Sequence, residues 1–270
     1  MPTLDEITYS REATIAAFRD YYEFLIDMFL PGDWILEPPT EGWASITKEK
    51  ADLLGKNDEV YELMRRLPYL PDSSFLVARA AAANWSLLFE ERKFDQEGVK
   101  DTRIITEGLD WPDIPPSAFG LTCGGRDTSM IILDTRFGTV HWLESPDLDF
   151  NSTRPPIVGP SGDTEPFRDC SPPNERGWRS QTAWAIADFF EVLKNEFRTL
   201  RSVPIDGSRV EYWFGDEEHE DLEELDEEDV LIRSVRDTYR KHGWPDTSIY
   251  HKGQCQDEIE KLIEDSEQHS

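Results

Sequence analysis

The chain has 270 residues, of which 38% are hydrophobic and 11% aromatic. This is enough apolar material to build a core, and it excludes a wholly disordered protein. The 56 acidic and 28 basic residues give a formal net charge of -28, a surface that repels phosphate backbones and anionic lipids, so we expect no direct binding of nucleic acid or membrane.

The three cysteines, Cys123, Cys170 and Cys255, are odd in number and widely spaced. This pattern predicts neither a disulfide framework nor a zinc site. The first residues lack the basic and apolar regions of a secretory signal, and no apolar run approaches the length of a membrane span. These features favour a cytoplasmic or nuclear protein, and the sequence predicts no cofactor.

The N-terminal third is expected to be helical. Apolar residues recur every three to four positions between residues 10 and 30, with Ser10 as the candidate N-cap. Two shorter helices are predicted to start at Thr47 and at Asn57 or Asp58. These helices suggest a helical subdomain over residues 1–72, within a single domain that spans residues 1–270.

Residues 75–90 leave two alternatives open. The alanine run at 80–83 favours a helix, whereas Phe75–Val77 and Trp85–Phe89 would suit buried strands. The stretch from residue 103 to residue 125 carries several prolines and glycines, so it is predicted to be mostly connection.

The clearest predicted element is a β-hairpin. Met130–Leu133 is typical of a buried strand, Asp134–Gly138 of a tight turn and Thr139–Leu143 of an antiparallel return strand. His141 alternates with its apolar neighbours, and we expect it on a surface of the sheet rather than in a ligand pocket.

The remaining third mixes loops, one strong helix and a run of acids. Residues 145–178 contain seven prolines and few aliphatic residues, the composition of a mobile loop. Residues 181–200 predict an amphipathic helix that packs on the sheet. A strand is predicted at 210–214 and is followed by the acidic segment 216–229, in which eleven of fourteen residues are Asp or Glu. Two final helices are predicted after it.

One stretch could carry catalysis. Cys123 stands beside two glycines and close to Arg126 and Asp127, and a thiol on a glycine turn can be exposed and activated. An enzyme would need polar groups such as His141 to converge on that thiol, and nothing in the linear sequence singles out the base. We favour the alternative, in which Cys123 is a small residue at a strand end.

Several tryptophans stand beside turn residues, Trp43 in "EGW" among them. Such a ring either pins a loop to the core or forms a recognition surface, and pinning is the favoured role. A small-ligand receptor would need a concave pocket lined by these tryptophans.

The acidic run also has two interpretations. Carboxylates such as Glu217, Glu218, Glu223 and Glu224, with two leucines among them, could dock on a basic groove, or the run could be a solvated connector.

The hairpin and the helix after it resemble a known family. "MIILDTRFGTVHWLE" followed by "AWAIADFFEVLKNEFRTL" is similar to the strand–turn–strand and helix of the SUKH superfamily. That superfamily includes fungal cell-wall-synthesis regulators and bacterial toxin-immunity proteins. Elements such as Pro38–Thr47 and Leu54–Tyr69 also resemble a family of proteins from filamentous fungi. The resemblance implies an α+β domain that binds other proteins and carries no catalytic residues.

The sequence therefore predicts an α+β, SUKH-like fold, with a central antiparallel sheet through residues 119–143 and 210–214 and helices packed on one face. The predicted function is a non-catalytic protein-interaction or adaptor module whose acidic surface binds a basic partner protein. The alternatives are a small-ligand-binding protein and an enzyme with a site around Cys123, Arg126 and His141. The predicted binding residues are Trp43, Arg126, Asp127, His141, Trp142, Glu217, Glu218, Glu223 and Glu224.

Overall fold

The structure is a computed structural model that describes residues 3–143, 145, 154–159, 165–213 and 227–267. It combines α-helices with antiparallel sheets, which confirms the predicted α+β class. The helices are α1 (Arg11–Met28), α2 (Lys48–Leu53), α3 (Asp58–Met64), α4 (Trp85–Glu91), α5 (Gln96–Glu107), α6 (Arg176–Arg179), α7 (Ile186–Arg198), α8 (Glu227–Lys241) and α9 (Lys252–Glu267). The strands are β1 (Phe75–Val77), β2 (Ala80–Ala81), β3 (Ala118–Gly120), β4 (Met130–Asp134), β5 (Thr139–Leu143), β6 (Thr182–Ala185), β7 (Ser202–Asp206) and β8 (Arg209–Tyr212).

The first three helices begin at the predicted caps. The Ser10 hydroxyl accepts a hydrogen bond from the amide of Ala13, and the Asn57 side chain accepts one from the amide of Val60. Thr47 caps α2 in the same way. Each side chain satisfies an amide that the helix itself leaves unpaired, and this is why a polar residue at these positions starts a helix.

Residues 75–107 differ from the prediction. The alanine run lies partly in β2, whereas Trp85 begins α4 because the Asn84 side chain accepts from the amide of Leu87. The stretch predicted as connection contains the second half of α5, whose cap is Asp95. Gly108 ends that helix with a positive φ of 73°, a conformation that glycine adopts without steric cost.

The central sheet is antiparallel in the order β3-β4-β5-β6. The predicted hairpin is confirmed, with Ile131 opposite Trp142 and Leu133 opposite Val140. The segment predicted as one helix from residue 181 starts as strand β6, and α7 follows it. The prediction that residues 210–214 extend this sheet is wrong, because β8 pairs with β7 in a separate two-stranded sheet.

Both faces of the central sheet are covered. On one face, Trp142 and Trp184 pack edgewise or tilted against Phe189 of α7, within a cluster that extends from α1 to α9. On the other face, Gly120 lies so close to α5 that an added Cβ would come within 1.8 Å of the Thr106 carbonyl oxygen. Helices therefore cover a second face in addition to the predicted one.

The second face also receives parts of the predicted loop 145–178. Val158 forms a bridge with Ala183 of β6, and the rings of Phe167 and Trp178 are almost fully buried. These apolar side chains explain why the described parts of the loop pack against the sheet. Residues 146–153 and 160–164 lie outside the described residues.

A buried ion pair fixes this second layer to the hairpin. The Arg179 guanidinium donates to the carboxylate of Asp134, at the end of β4, and to that of Glu175. The side chains of Arg179 and Asp134 are 1% and 0% exposed. The guanidinium carbon also lies 4.2 Å from the ring centroid of Trp178 and 4.8 Å from that of Phe137.

None of the described helices is both long and apolar enough to cross a lipid bilayer.

We expect Arg179→Met to lower the free energy of unfolding by about 3–5 kcal/mol, because it leaves the Asp134 charge buried without its partner. The double variant with Asp134→Asn should recover part of that loss. Chemical denaturation measures both. The matched control is Arg19→Met, which removes the exposed Arg19–Glu37 ion pair and should cost less than about 1 kcal/mol. Equal losses in the two single variants would contradict the role of Arg179.

Candidate functional site

A cleft in the described structure has a volume of about 750 Å³. It lies between the C-terminal end of α5 and the loop that joins β3 to β4, and its size is typical of small-ligand sites. Its lining comes from the β1–β2 turn, α5, the loop, the open end of the hairpin and the residue before β6. The residues are Arg79, Ile104, Ile105, Glu107, Gly108, Leu109, Asp110, Gly124, Gly125, Arg126, Asp127, Thr128, Ser129, Met130, Leu143 and Gln181.

Backbone hydrogen bonds hold the β3–β4 loop in place at both ends. The amide of Gly124 donates to the Ile105 carbonyl of α5 at 3.0 Å, and the amide of Ser129 donates to the Arg79 carbonyl at 2.6 Å. Gly124 is required for its small size, since an added Cβ would lie 2.0 Å from the Thr128 hydroxyl oxygen. The loop is thus a fixed wall of the cleft.

Part of the cleft wall is apolar. Ile104, Ile105 and Met130 are half-buried there, and Leu143 is nearly buried. Leu109 stands at the rim with 87% of its surface exposed. Together with the wall beside it, this side chain forms apolar surface that an apolar occupant would remove from water.

A buried charge network lies under the cleft. Glu107 lines it, yet its carboxylate is 0% exposed and is paired with the Lys56 ammonium and with the Arg103 guanidinium. Lys56 also donates to the Ala118 carbonyl of β3 at 2.7 Å. Arg103 donates to the carbonyls of Trp111 and Ile114. The network therefore joins α5, the segment before α3 and the edge of the sheet.

Burial, opposed by the charge of Glu107 and assisted by that of Arg103, lowers the pKa of Lys56 from its ordinary value of 10.5 to about 8. The protonated amine is harder to desolvate than the neutral one.

The rim of the cleft carries two of the predicted binding residues. Arg126 and Asp127 are exposed and both line the cleft. Neither side chain makes a hydrogen bond or an ion pair with another described residue. Arg79 and Asp110 are exposed as well, so the lining of the cleft includes two exposed arginines and two exposed aspartates.

His141 and Trp142, by contrast, are core residues. The expectation that His141 lies on a surface of the sheet is wrong, because the side chain is 0% exposed. Its ring centroid lies 4.8 Å from that of Trp178 and 5.2 Å from that of Phe167. Trp142 is 1% exposed in the cluster on the opposite face. A partner cannot reach either ring in this structure.

Burial holds the pKa of His141 well below its ordinary value of 6.5, and the charge of Arg179 contributes in the same direction. The neutral imidazole is therefore part of the folded state, and its Nε2 lies 3.2 Å from the Thr139 hydroxyl.

Cys123 lines a different, smaller cleft of about 360 Å³, together with Asp72, Asn84 and Glu91 among others. Burial raises the pKa of its thiol, which disfavours the reactive thiolate. Cys123, Arg126 and His141 are thus not brought together: the first two line separate clefts and the third is buried on the sheet.

Trp43 takes the loop-pinning role in the described structure. Its indole nitrogen donates to the Leu67 carbonyl at 2.9 Å, and its ring packs against Tyr69. Trp178 and Trp244 pin their segments in the same way, through the carbonyls of Asp113 and Phe197. Neither of the two clefts described above is lined by tryptophan.

Glu217, Glu218, Glu223 and Glu224 lie outside the described residues, whereas the end of the acidic segment, Glu227–Asp229, forms the first turn of α8. In the ranges that the structure covers, no group of three or more His, Cys, Asp or Glu side chains is placed to hold a metal ion.

Comparisons with protein-family models, with curated proteins and with solved structures give no match. The SUKH-like resemblance therefore stays a prediction.

The Lys56 ammonium should make the free energy of unfolding depend on pH. Its folded-state pKa of about 8 lies below the ordinary value of 10.5, so the unfolded chain binds more protons between these values and stability rises with pH across that window. Relative to Lys56→Met, the free energy of unfolding of the native chain should rise by up to about 1.4 kcal/mol per pH unit. Denaturation at several pH values measures this difference, and parallel curves would contradict it.

A second pH dependence should come from His141. Because its folded-state pKa is well below 6.5, the unfolded chain takes up a proton below about pH 6.5 that the native chain does not, and stability falls as the pH falls. In His141→Gln, the free energy of unfolding should fall less steeply with decreasing pH, by up to about 1.4 kcal/mol per pH unit. The control is His251→Gln, at an exposed position. The idea fails if the two variants show the same acid dependence.

Proposed function

We propose that this protein is a non-catalytic protein-interaction module, an adaptor whose acidic surface binds a basic partner protein. The observation that carries the proposal is a stripe of carboxylates on α9. Asp257, Glu260, Glu264 and Glu267 recur every three or four residues, which places them on one side of the helix. All four are exposed.

The other side of α9 explains why this stripe faces outwards. Cys255 and Ile259 are buried, and the helix packs against α8. Lys252 is held inwards, where its ammonium donates to the Ile26 and Leu30 carbonyls. Lys261 is then the basic residue that remains on the exposed part of the helix.

The four carboxylates of the α9 stripe make no ion pair with another described residue. Glu258, on a neighbouring side of the helix, does pair with Lys241 and His242. Like charges at this spacing repel one another. Because the chain has a net charge of -28, the charges on the rest of the chain do not compensate this repulsion. A basic partner would relieve this repulsion and would gain electrostatic steering in its approach.

We propose the acidic segment 216–229 as a second contact for the same kind of partner. Its last three residues begin α8, where Glu228 pairs with Arg209. Because acids precede α8 and lie along α9, the partner we propose is a lysine- or arginine-rich protein segment. This chemistry supports an adaptor better than a catalyst, since Cys123, Arg126 and His141 do not share a site.

Neutralising the α9 stripe should weaken capture of basic proteins by about tenfold, since four screened contacts of a few tenths of a kcal/mol each are lost. The variant carries Asp257→Asn, Glu260→Gln, Glu264→Gln and Glu267→Gln. Affinity capture from the native host with quantitative mass spectrometry, followed by titration of a lysine-rich peptide into the purified chain, measures the effect. Binding should also weaken as salt rises from about 0.15 M to about 0.5 M.

The matched control neutralises four exposed acids elsewhere, by Glu49→Gln, Glu90→Gln, Glu97→Gln and Asp101→Asn. A third variant replaces Glu217, Glu218, Glu223 and Glu224 with glutamine. Loss in either the α9 or the acidic-segment variant, but not in the control, locates the surface. Equal capture by all variants, or equal loss in all, would refute a defined acidic interface.

A further inference from the structure

Two arginines from separate parts of the chain line the 750 Å³ cleft. Arg79 belongs to the turn between β1 and β2, and Arg126 to the β3–β4 loop. The hydrogen bond from the Ser129 amide to the Arg79 carbonyl holds these two segments together. This backbone contact keeps the two segments that carry the arginines beside one cleft.

The Arg126 guanidinium makes no hydrogen bond or ion pair with another described residue, although the chain has twice as many acids as bases. Guanidinium groups bind planar anions through paired, charge-assisted hydrogen bonds. An exposed Arg126 beside a cavity is therefore a donor that an anionic ligand can use.

The apolar wall sets the second requirement. Ile104, Ile105, Met130 and Leu143 face the same cavity, and Leu109 extends from its rim into solvent. An ion such as inorganic phosphate or chloride would leave this wall in contact with water. An apolar body attached to the anionic group would cover it and gain the free energy of burial.

The negative net charge of the chain favours an anion of single charge. Asp110 and Asp127 lie on the same rim, and the chain as a whole carries -28. A doubly charged phosphate would be repelled more strongly by both than a carboxylate would. We propose that the cleft binds a ligand that carries one carboxylate on an apolar body, with Arg126 on the carboxylate and the Ile105–Leu109–Met130 wall on the body.

Two sources can present this chemistry, a free aliphatic or aromatic carboxylic acid and the C-terminal carboxylate of a polypeptide that ends in an apolar residue. The cleft is separate from the α9 stripe, so the ligand proposal can be tested independently of the adaptor role.

The test uses the full chain and a pair of probes that differ in charge alone, N-acetyl-leucine and N-acetyl-leucinamide. Each probe is titrated into the protein while the amide resonances of Gly124 and Gly125 are monitored in NMR spectra. The carboxylate probe should show saturable binding at concentrations on the order of millimolar. The carboxamide should bind at least about tenfold more weakly, because it cannot accept a charge-assisted pair.

Two exposed substitutions test the two halves of the site. Arg126→Gln should weaken N-acetyl-leucine about tenfold and leave the carboxamide unchanged, with Arg233→Gln on α8 as the control for net charge. Leu109→Ser should weaken both probes, with Leu53→Ser, at another exposed leucine, as its control. Arg126 has no described side-chain partner to lose, so these variants should fold normally.

A peptide ending in leucine, with a free or an amidated C-terminus, then distinguishes the source. Preference for the free-acid peptide over N-acetyl-leucine supports a polypeptide terminus, and the reverse supports a small acid. Equal binding of the charged and amidated probes, an unchanged affinity in Arg126→Gln, or no perturbation by any probe would overturn the proposal.

Discussion

Buried charges, together with apolar contacts, fix the second face of the central sheet. The apolar layer there consists of two small clusters, one formed by Ile114, Ala118, Ile132, Leu143 and Trp178 and the other by Ile157, Val158, Phe167 and Ala183. Beside it lie two ion networks, Asp134 with Arg179 at the turn end of the hairpin and Glu107 with Lys56 at the edge of β3. Removing one partner of such a pair leaves a buried charge without compensation. The Asp134–Arg179 pair therefore fixes the position of α6 on the sheet, and the Glu107–Lys56 pair fixes that of α5.

The cleft is a consequence of that arrangement. Glu107 at the end of α5 belongs to one network, whereas Gln181 follows α6, which carries the other. Both helices are anchored by charge, and the cleft lies beside the end of α5, with Gln181 in its lining. The β3–β4 loop then closes the space on a third side through its hydrogen bonds to Ile105 and Arg79. The same electrostatic constraint that holds the layer thus shapes the candidate site.

Local patterns in the sequence predicted the elements whose causes are local. The hairpin follows from its strand composition and its turn, and the caps at Ser10, Thr47 and Asn57 start their helices as expected. Strand β6 was missed because pairing with β5, rather than local propensity, makes it a strand. The burial of His141 depends on Phe167 and Trp178, which are distant in sequence.

The candidate site was predictable only where its residues stand together in the sequence. Arg126 and Asp127 stand in a conspicuous glycine-rich loop and were named from the sequence. Arg79, Leu109 and Glu107 come from other segments, and only the fold brings them to one cleft. A sequence pattern cannot show that Glu107 is buried between two cations, because ordinary glutamates on a helix have the same spacing.

The fixed ends of the β3–β4 loop determine which of its positions tolerate substitution. Gly124 and Ser129 are tied to neighbouring elements, while an added Cβ at Gly125 would meet no atom within 4 Å. Substitutions and short insertions between these anchors would alter the mouth of the cleft and leave the sheet behind it undisturbed. Recognition can therefore diversify at Gly125–Asp127 among related chains at little cost in stability, as it does in loops carried by a rigid scaffold.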